Sequence, residues 1–280
     1  MLGDAAIALI EDVFDRKGVF DGIHRIRRRI VSWGSGPVEV EHSAGVVSER
    51  QLLDYLQADG VEGSGDADWT VITSRPLPEG TEEQHFGSRM ARALPVGLVG
   101  GGDTCWIESL DEGWLFLIPN SDSAGWLLAV GAEPAFLLEQ SRLIAGQIGE
   151  LRGGSAEFPA YPRIFSPLCG PDWIACGSAA MAFDPLCGDG TANAVREAIL
   201  ACAVIGAGVD ALSHYEARLT VGFQRHLASC MTFYQTGGSG LWWQRELAAL
   251  HQGLDWCARR AREFGSYRYQ LRGFELVELT

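Results

Sequence analysis

Apolar residues at Ile7, Ile10, Val13 and Phe14 fall close to helical period, and the spacing predicts that the segment Leu2–Phe14 is a helix leading into "GVFDG". A strand from about Ile26 to Trp33, a turn at "GSGP", a short strand at "VEV" and a helix from about Ser48 to Leu56 capped by Ser48 come next. A polar, glycine-rich link, "ADGVEGSGDAD", follows. Beyond it the pattern changes to strand-length apolar runs, "CWIESL", "GWLFLIP" and "GWLLAV", separated by Gly, Asp, Asn and Ser turns, which predicts an antiparallel sheet. The periodicity then predicts a helix from about Pro134 to Leu151, a buried strand at "DWIACGSAA", and a helix starting near Thr191. Two long helices, about 210–235 and 240–263, flank the turn "TGGSG", and the alternating tail "YRYQLRGFELVEL" reads as a strand.

Composition narrows the function classes. A chain of 280 residues, 47% of them hydrophobic, can bury a full core or two coupled ones. The formal net charge of -14 argues against nucleic acid as a partner, and the one basic run, "RIRRR" (Arg25 to Arg29), reads as a solvated strand face. Seven cysteines without a Cys-x-x-Cys pair point to a reduced, cytoplasmic chain. No apolar run reaches the roughly 18 residues of a spanning helix, so no membrane is expected. His24, His85, His214, His226 and His251 show no metal spacing.

The chemistry concentrates in "FDPLCGDGTANAVREAI", residues 183–199. Gly177 ends a strand, and Gly188 and Gly190 open a helix whose entrance carries little side chain. Free N–H groups at a helix start, at the positive end of the dipole, make a place for an anion or for developing negative charge. A buried helix with a glycine-rich entrance and no ligand explains the same spacing. Between Ala198 and Val209 there is no charged residue, which predicts a buried helix.

This stretch resembles the second cofactor motif of the flavin-dependent monooxygenases and tryptophan-halogenase-like flavoproteins, "W-L-A-V-G-D-A-A…D-P-L-S-G-x-G". The resemblance implies an α/β (α+β) FAD-dependent hydroxylase-like fold with an antiparallel substrate sheet. It implies that Gly177 passes close to the ribityl chain of FAD, that the turn from Asp184 to Gly190, with Pro185 and Gly188, meets the pyrophosphate and pyrimidine end of the cofactor, and that the helix from Thr191 faces the flavin. Ser178 stands where the family has Asp. The stretch "VVSERQLLDYL" resembles the family's "V-x-R-x-x-L-x-x-x-L" helix, with Arg50 as the cofactor-facing arginine. "GWLFLIP" resembles the halogenase strand "G-W-x-W-x-I-P", which would bring Trp114 and Phe116 to substrate; a packed core strand explains their alternation without any substrate and is the favoured reading. His42 is a further substrate candidate, against a locally bonded turn histidine. Glu108 reads either as a cavity-facing carboxylate or as a solvated one, and no catalytic residue is assigned. The family's catalytic lysine has no counterpart, since the only lysine is Lys17, in an unrelated turn.

A complete member of the family begins with a strand and a G-x-G-x-x-G turn for the FAD pyrophosphate. Neither is present; "GLVGGG" lies mid-chain before a strand and reads as a loop. The expected organisation is a partial FAD-binding region (1–60), the substrate sheet (61–150), the rest of the FAD-binding region (151–209) and C-terminal helices (210–280), with the first βαβ unit missing. The expected function is that of an FAD-dependent monooxygenase acting on a small-molecule or peptidyl aromatic substrate, with NAD(P)H or a separate flavin reductase as electron source. A non-catalytic remnant acting as a binding or partner subunit, and a halogenase, are the alternatives.

Overall fold

A computed structural model of the chain describes residues 1–56, 68–186, 190–265 and 268–279. In chain order the elements are β1 (Leu2–Gly3), α1 (Asp4–Val13), β2 (His24–Ser32), β3 (Val38–Val46) and α2 (Glu49–Leu56). Then come β4 (Thr70–Ile72), β5 (Glu82–His85), β6 (Met90–Leu98), β7 (Thr104–Leu110), β8 (Gly113–Pro119), β9 (Ala124–Gly131) and α3 (Pro134–Gln140). The remainder comprises β10 (Ile148–Leu151), β11 (Ala156–Pro159), β12 (Arg163–Ser166), β13 (Trp173–Ala175), β14 (Met181–Ala182), α4 (Gly190–Ala207), α5 (Leu212–Gly237), α6 (Leu241–Glu263), β15 (Tyr269–Arg272) and β16 (Glu275–Glu278). These elements form two units of interleaved segments: Met1–Val61, Ser88–Ala160 and Thr232–Leu247 in the first, and Glu62–Gly87, Tyr161–Met231 and Ala248–Thr280 in the second.

The first unit is built on a nine-stranded sheet in the order β1-β3-β2-β7-β8-β9-β6-β10, with β11 also on β6. Its pairs are antiparallel except β2 with β7. Because strand side chains alternate between faces, Trp106, Leu115, Leu117, Leu127 and Ala129 form one layer, against Leu137 of α3 and Ile144. Trp114 and Phe116 point to the other face. There the Trp114 indole donates to the Tyr234 hydroxyl (3.1 Å), the Trp243 indole to the Leu110 carbonyl (2.8 Å) and the Trp33 indole to the Phe233 carbonyl (2.7 Å). The glycines of "TGGSG" make this packing feasible: a Cβ at Gly237 or Gly238 would lie 2.5 or 2.2 Å from the Trp243 ring. The same unit buries an ion pair between Arg89 and Glu246, whose other oxygen accepts the Ser88 N–H and hydroxyl at 3.1 Å each.

Four sequence expectations change. The helix expected from Pro134 to Leu151 stops at Gln140, and Ile148–Leu151 joins the sheet against β6. The cause is Glu108. Its carboxylate accepts the Ser141 hydroxyl and the N–H groups of Arg142 (2.8 Å), Leu143 (3.1 Å) and Ile144 (3.1 Å), donors that a continued helix would spend on its own carbonyls. Glu108 is therefore neither solvated nor cavity-facing. It is 4% exposed and holds a loop. The tail is a hairpin, β15 with β16, because Gly273 turns the chain with φ +60. The short strand at "VEV" lengthens to nine residues and pairs with the basic run of β2. On that run Arg25 meets Asp4 and Arg28 meets Asp103 at 3.2 Å, so acidic neighbours neutralise part of the basic stretch.

The second unit contains the sheet β14-β12-β5, the parallel pair β13–β4 and the β15–β16 hairpin. With them lie α4, α5 up to Met231 and α6 from Ala248. Tyr215 of α5, fully buried, donates its hydroxyl to the Ala175 carbonyl (2.6 Å) and so ties α5 to the end of β13, where the candidate site begins.

Candidate functional site

β13 runs into Gly177, which adopts a left-handed conformation (φ +61) that a β-carbon would strain, although the nearest atom to such a carbon is Ala194 Cβ at 3.8 Å. The requirement for glycine is thus one of backbone conformation and access, not of crowding. The Gly177 N–H donates to Glu197 Oε2 (2.8 Å), reaching the second turn of α4. Ser178 is exposed and donates its hydroxyl to the Thr73 carbonyl at 3.3 Å.

Asp184 and Pro185 then approach α4. Asp184 is fully buried: its carboxylate accepts the Leu186 N–H (2.8 Å) and its own N–H donates to His226 Nε2 (2.9 Å), which requires a ring unprotonated at that nitrogen. Asp184 is thereby a structural fixture of the turn. Gly188 lies outside the described residues, as does Cys187. α4 begins at Gly190, where a β-carbon would meet open space, and Thr191 follows, half-buried. A bare glycine at the first position of an 18-residue helix leaves room for an electron-rich group near its first-turn N–H groups. The expected burial of α4 is partial: Leu200, Ala201, Ala203 and Val204 are buried, whereas Cys202, Gly206 and Ala207 are exposed.

Glu197 is the site residue that the sequence reading missed. It is 7% exposed, and burial pushes its carboxyl up to about 7, with the single Gly177 N–H pulling the other way. The available signal was the one acid of the helix, just before its uncharged stretch and seven residues after Gly190. Glu197 also lines a cavity of about 490 Å³ formed by α4, α5 and the hairpin. Three arginines, Arg196, Arg218 and Arg225, line the same cavity.

The remaining expected residues lie in the first unit. Arg50 sits on α2 with its side chain 92% exposed, 4.0 Å from Asp54. Ser48 caps α2 as expected: its hydroxyl accepts the Gln51 N–H (3.1 Å) while Gln51 Oε1 accepts the Ser48 N–H (2.9 Å), a capping box. Trp114 is fully buried within the aromatic layer and Phe116 is 7% exposed. His42 lies within β3, not in a turn, with Nε2 2.9 Å from an Arg29 nitrogen; burial and the Arg29 charge push its pKa down, so it stands as a neutral acceptor. A second cavity, of about 510 Å³, opens on the sheet face that carries Trp114 and Phe116, lined there by Ile118 and Trp126, and closed by Tyr55 and Gln51 of α2. Among the described residues no cluster of acids, histidines and cysteines could hold a metal, and no helix is long and apolar enough to cross a membrane. Cys105, Cys169, Cys176, Cys202 and Cys257 form no disulfide. Burial pushes the thiols of Cys169 and Cys257 up to about 12 and Cys176 up to about 11, so none of these three is poised as a nucleophile.

No protein-family model matches the sequence, and no curated protein does either. Solved structures do. The chain matches the peptidyl tryptophan dihydroxylase QhpG, essential for tryptophylquinone cofactor biogenesis, with a TM-score of 0.73 and 18% identity, over 99% of this chain and 77% of that one. It matches the myxobacterial chondrochloren halogenase CndH, a variant of the FAD-dependent halogenases, at 0.69 and 15%, over 92% and 78%. A triple mutant of the flavin-dependent brominase Bmp2 matches at 0.62 and 17%, over 95% and 83%. At such identities the likeness is one of architecture, and it bears out the expected one: this chain has the mixed α/β fold of the FAD-dependent halogenases and related hydroxylases.

Proposed function

We propose that the chain is an FAD-dependent oxidoreductase, a monooxygenase that acts on an aromatic substrate, either a small molecule or a peptidyl side chain. The observation that carries this reading is the match over nearly the whole chain to a peptidyl tryptophan dihydroxylase, joined to a left-handed Gly177 and an unobstructed α4 entrance at the expected positions. The residues fit the cofactor. Gly177, Gly190 and Thr191 would bound the flavin, with the first-turn N–H groups of α4 favouring negative charge on its pyrimidine edge. Ser178, Asp184 and Pro185 would complete the turn. When bound, FAD supplies the redox chemistry with dioxygen; the protein's part is to position it and to exclude water.

On the substrate side, the aromatic face of β8 supports the reading, with its contact residues shifted along the strand. Trp114 is wholly engaged in packing, so the reading moves to Ile118 and to Trp126, which is 44% exposed on the cavity side. Phe116 and His42 would act as neighbours that shape this face. Electrons would come from NAD(P)H or a separate flavin reductase. The cell compartment in this reading is the cytoplasm, in keeping with cysteines such as Cys105, Cys176 and Cys257 that are buried as thiols.

A second reading, a non-catalytic flavoprotein remnant, is favoured by two observations: the Gly177 N–H is already bonded to Glu197, and Ser178 stands where the family has a carboxylate. The halogenase reading has less support, because Lys17, the only lysine, is exposed and paired with Asp12. The deciding experiment is an absorbance spectrum of the purified chain after incubation with FAD and desalting. Retained flavin bands support the oxidoreductase and justify oxygenation assays on indoles and tryptophan peptides. A folded, colourless chain rejects it for this chain.

A further inference from the structure

The cavity of the second unit has a charge opposite to that of the protein. The chain carries a formal net charge of -14, yet Arg196, Arg218 and Arg225 all line this one space of about 490 Å³. Among the described residues that line it, the acidic one is Glu197, whose Oε2 is engaged by the Gly177 N–H. Arginines that line one cavity in an otherwise acidic protein offer an anion several cationic donors at a single place. The arginines come from two helices, one on α4 and two on α5. Arg218 and Arg225 are seven residues apart, two turns along one helix, so their guanidinium groups issue from the same side of α5. Arg196 is pre-oriented by a bond to Asn193 Oδ1 at 3.1 Å. Planar guanidinium groups pair with phosphate oxygens two bonds at a time, and the volume falls in the ordinary range for small-ligand sites, about 300–1,000 Å³.

We propose that this cavity is a binding site for a phosphate-bearing ligand, with Arg196, Arg218 and Arg225 as the phosphate contacts. Two sources share that chemistry: the pyrophosphate of the dinucleotide cofactor, or a phosphate compound unrelated to flavin. The first source rests on the flavin reading above, and the site itself does not. Expected properties follow from charge. Binding weakens steeply with salt, requires phosphate and tolerates different groups attached to it.

The test is isothermal titration calorimetry on the purified 280-residue chain with four probes: FAD, ADP, inorganic pyrophosphate and riboflavin. The three arginines are exposed, so an Arg218→Ala/Arg225→Ala double variant retains the fold, which circular dichroism verifies; Arg27→Ala on the exposed face of β2 is the control. The expected result is that ADP and pyrophosphate bind the wild type and the control, and at least about tenfold more weakly the double variant, with Arg218→Lys/Arg225→Lys between them. If FAD weakens in parallel and riboflavin does not, the cofactor is the source. If ADP and pyrophosphate bind but neither FAD nor riboflavin does, the phosphate site stands and the flavin reading falls. If FAD and riboflavin bind wild type and double variant equally while ADP and pyrophosphate bind neither, the proposal is overturned and the flavin reading stands. Binding of none of the four overturns both.

Discussion

Glu108 in the first unit and Glu197 in the second are both buried carboxylates, at 4% and 7% exposure, yet their surroundings treat them in opposite ways. Glu108 collects a hydroxyl and three backbone N–H groups from one short loop. Glu197 has the Gly177 N–H as its recorded donor, and burial pushes its carboxyl up to about 7. The difference separates two uses of one side chain. A carboxylate surrounded by donors fixes backbone, as Glu108 fixes the loop that ends α3. One with a single donor, beside a cavity, is poised to hold or release a proton near neutrality.

Removing Glu108 is the severest test of that contrast. Glu108→Ala leaves the Arg142 and Leu143 N–H groups and the Ser141 hydroxyl without their acceptor inside the protein, while the Ile144 N–H keeps Ser141 Oγ at 3.0 Å. At about 1–3 kcal/mol for each buried unsatisfied group, reduced by relaxation and water entry, the expected loss is on the order of 4 kcal/mol. Urea unfolding measures it. A loss below about 1 kcal/mol would mean that the loop finds other acceptors and that Glu108 is not what ends the helix.

Glu197 is tested through pH. Its folded pKa, about 7, lies above the ordinary 4.5, so the fold favours the protonated form. The stabilisation linked to that proton is fully present below about pH 4.5, is lost as pH rises through 7, and does not change further above it. Glu197→Gln keeps an acceptor for the Gly177 N–H and cannot ionise. The variant is therefore expected to gain on the wild type as pH rises from about 4.5 to 7.5, by up to about 3 kcal/mol. Parallel stability curves for the two proteins across that range would place Glu197 among the satisfied carboxylates, beside Glu108.

The same pair of residues shows what the sequence could and could not disclose. The α4 entrance was legible because glycine, proline and aspartate mark backbone requirements that are local to "FDPLCGDG" and its flanks. The strands of the first sheet were legible because alternation in "GWLFLIP" and "GWLLAV" is local too. The stop of α3 was not, since the apolar period runs on past Gln140 and the group that interrupts it, Glu108, is over thirty residues upstream. Glu197 was hidden for a related reason: nothing in "AVREAIL" says that its carboxylate turns back to a glycine twenty residues earlier. Trp114 was legible as a sheet residue, but its burial depends on Trp33 and Tyr234, brought to it from distant parts of the chain. The periodic and the local were readable, and the satisfaction of buried polar groups by distant partners was not.

A smaller perturbation probes the donor of Glu197 from the backbone side. Gly177→Ala places a β-carbon on a residue with φ +61, at a cost of about 1–2 kcal/mol, without a steric clash, since the nearest atom is 3.8 Å away. The backbone relieves that strain by rotating the Gly177 N–H away from Glu197 Oε2, so the pH-dependent part of the stability is expected to grow in the variant. An unchanged pH profile would show that the Gly177 bond has little hold on the Glu197 proton.

The smallest effect is expected where a charged pair lies in solvent. Arg50 on α2 faces Asp54 at 4.0 Å with its side chain 92% exposed, and such i,i+4 pairs contribute about 0.3–0.5 kcal/mol at most. Arg50→Ala should therefore leave urea unfolding of the chain unchanged within about 0.5 kcal/mol, in contrast to either buried glutamate. That silence is what makes the variant useful. With folding unaffected, any fall in FAD retained after desalting reports a lost contact between the arginine and the cofactor, as the resemblance implies for this position. Retention equal to that of the wild type would remove Arg50 from the cofactor site and leave the α4 entrance and the arginine-lined cavity to account for binding.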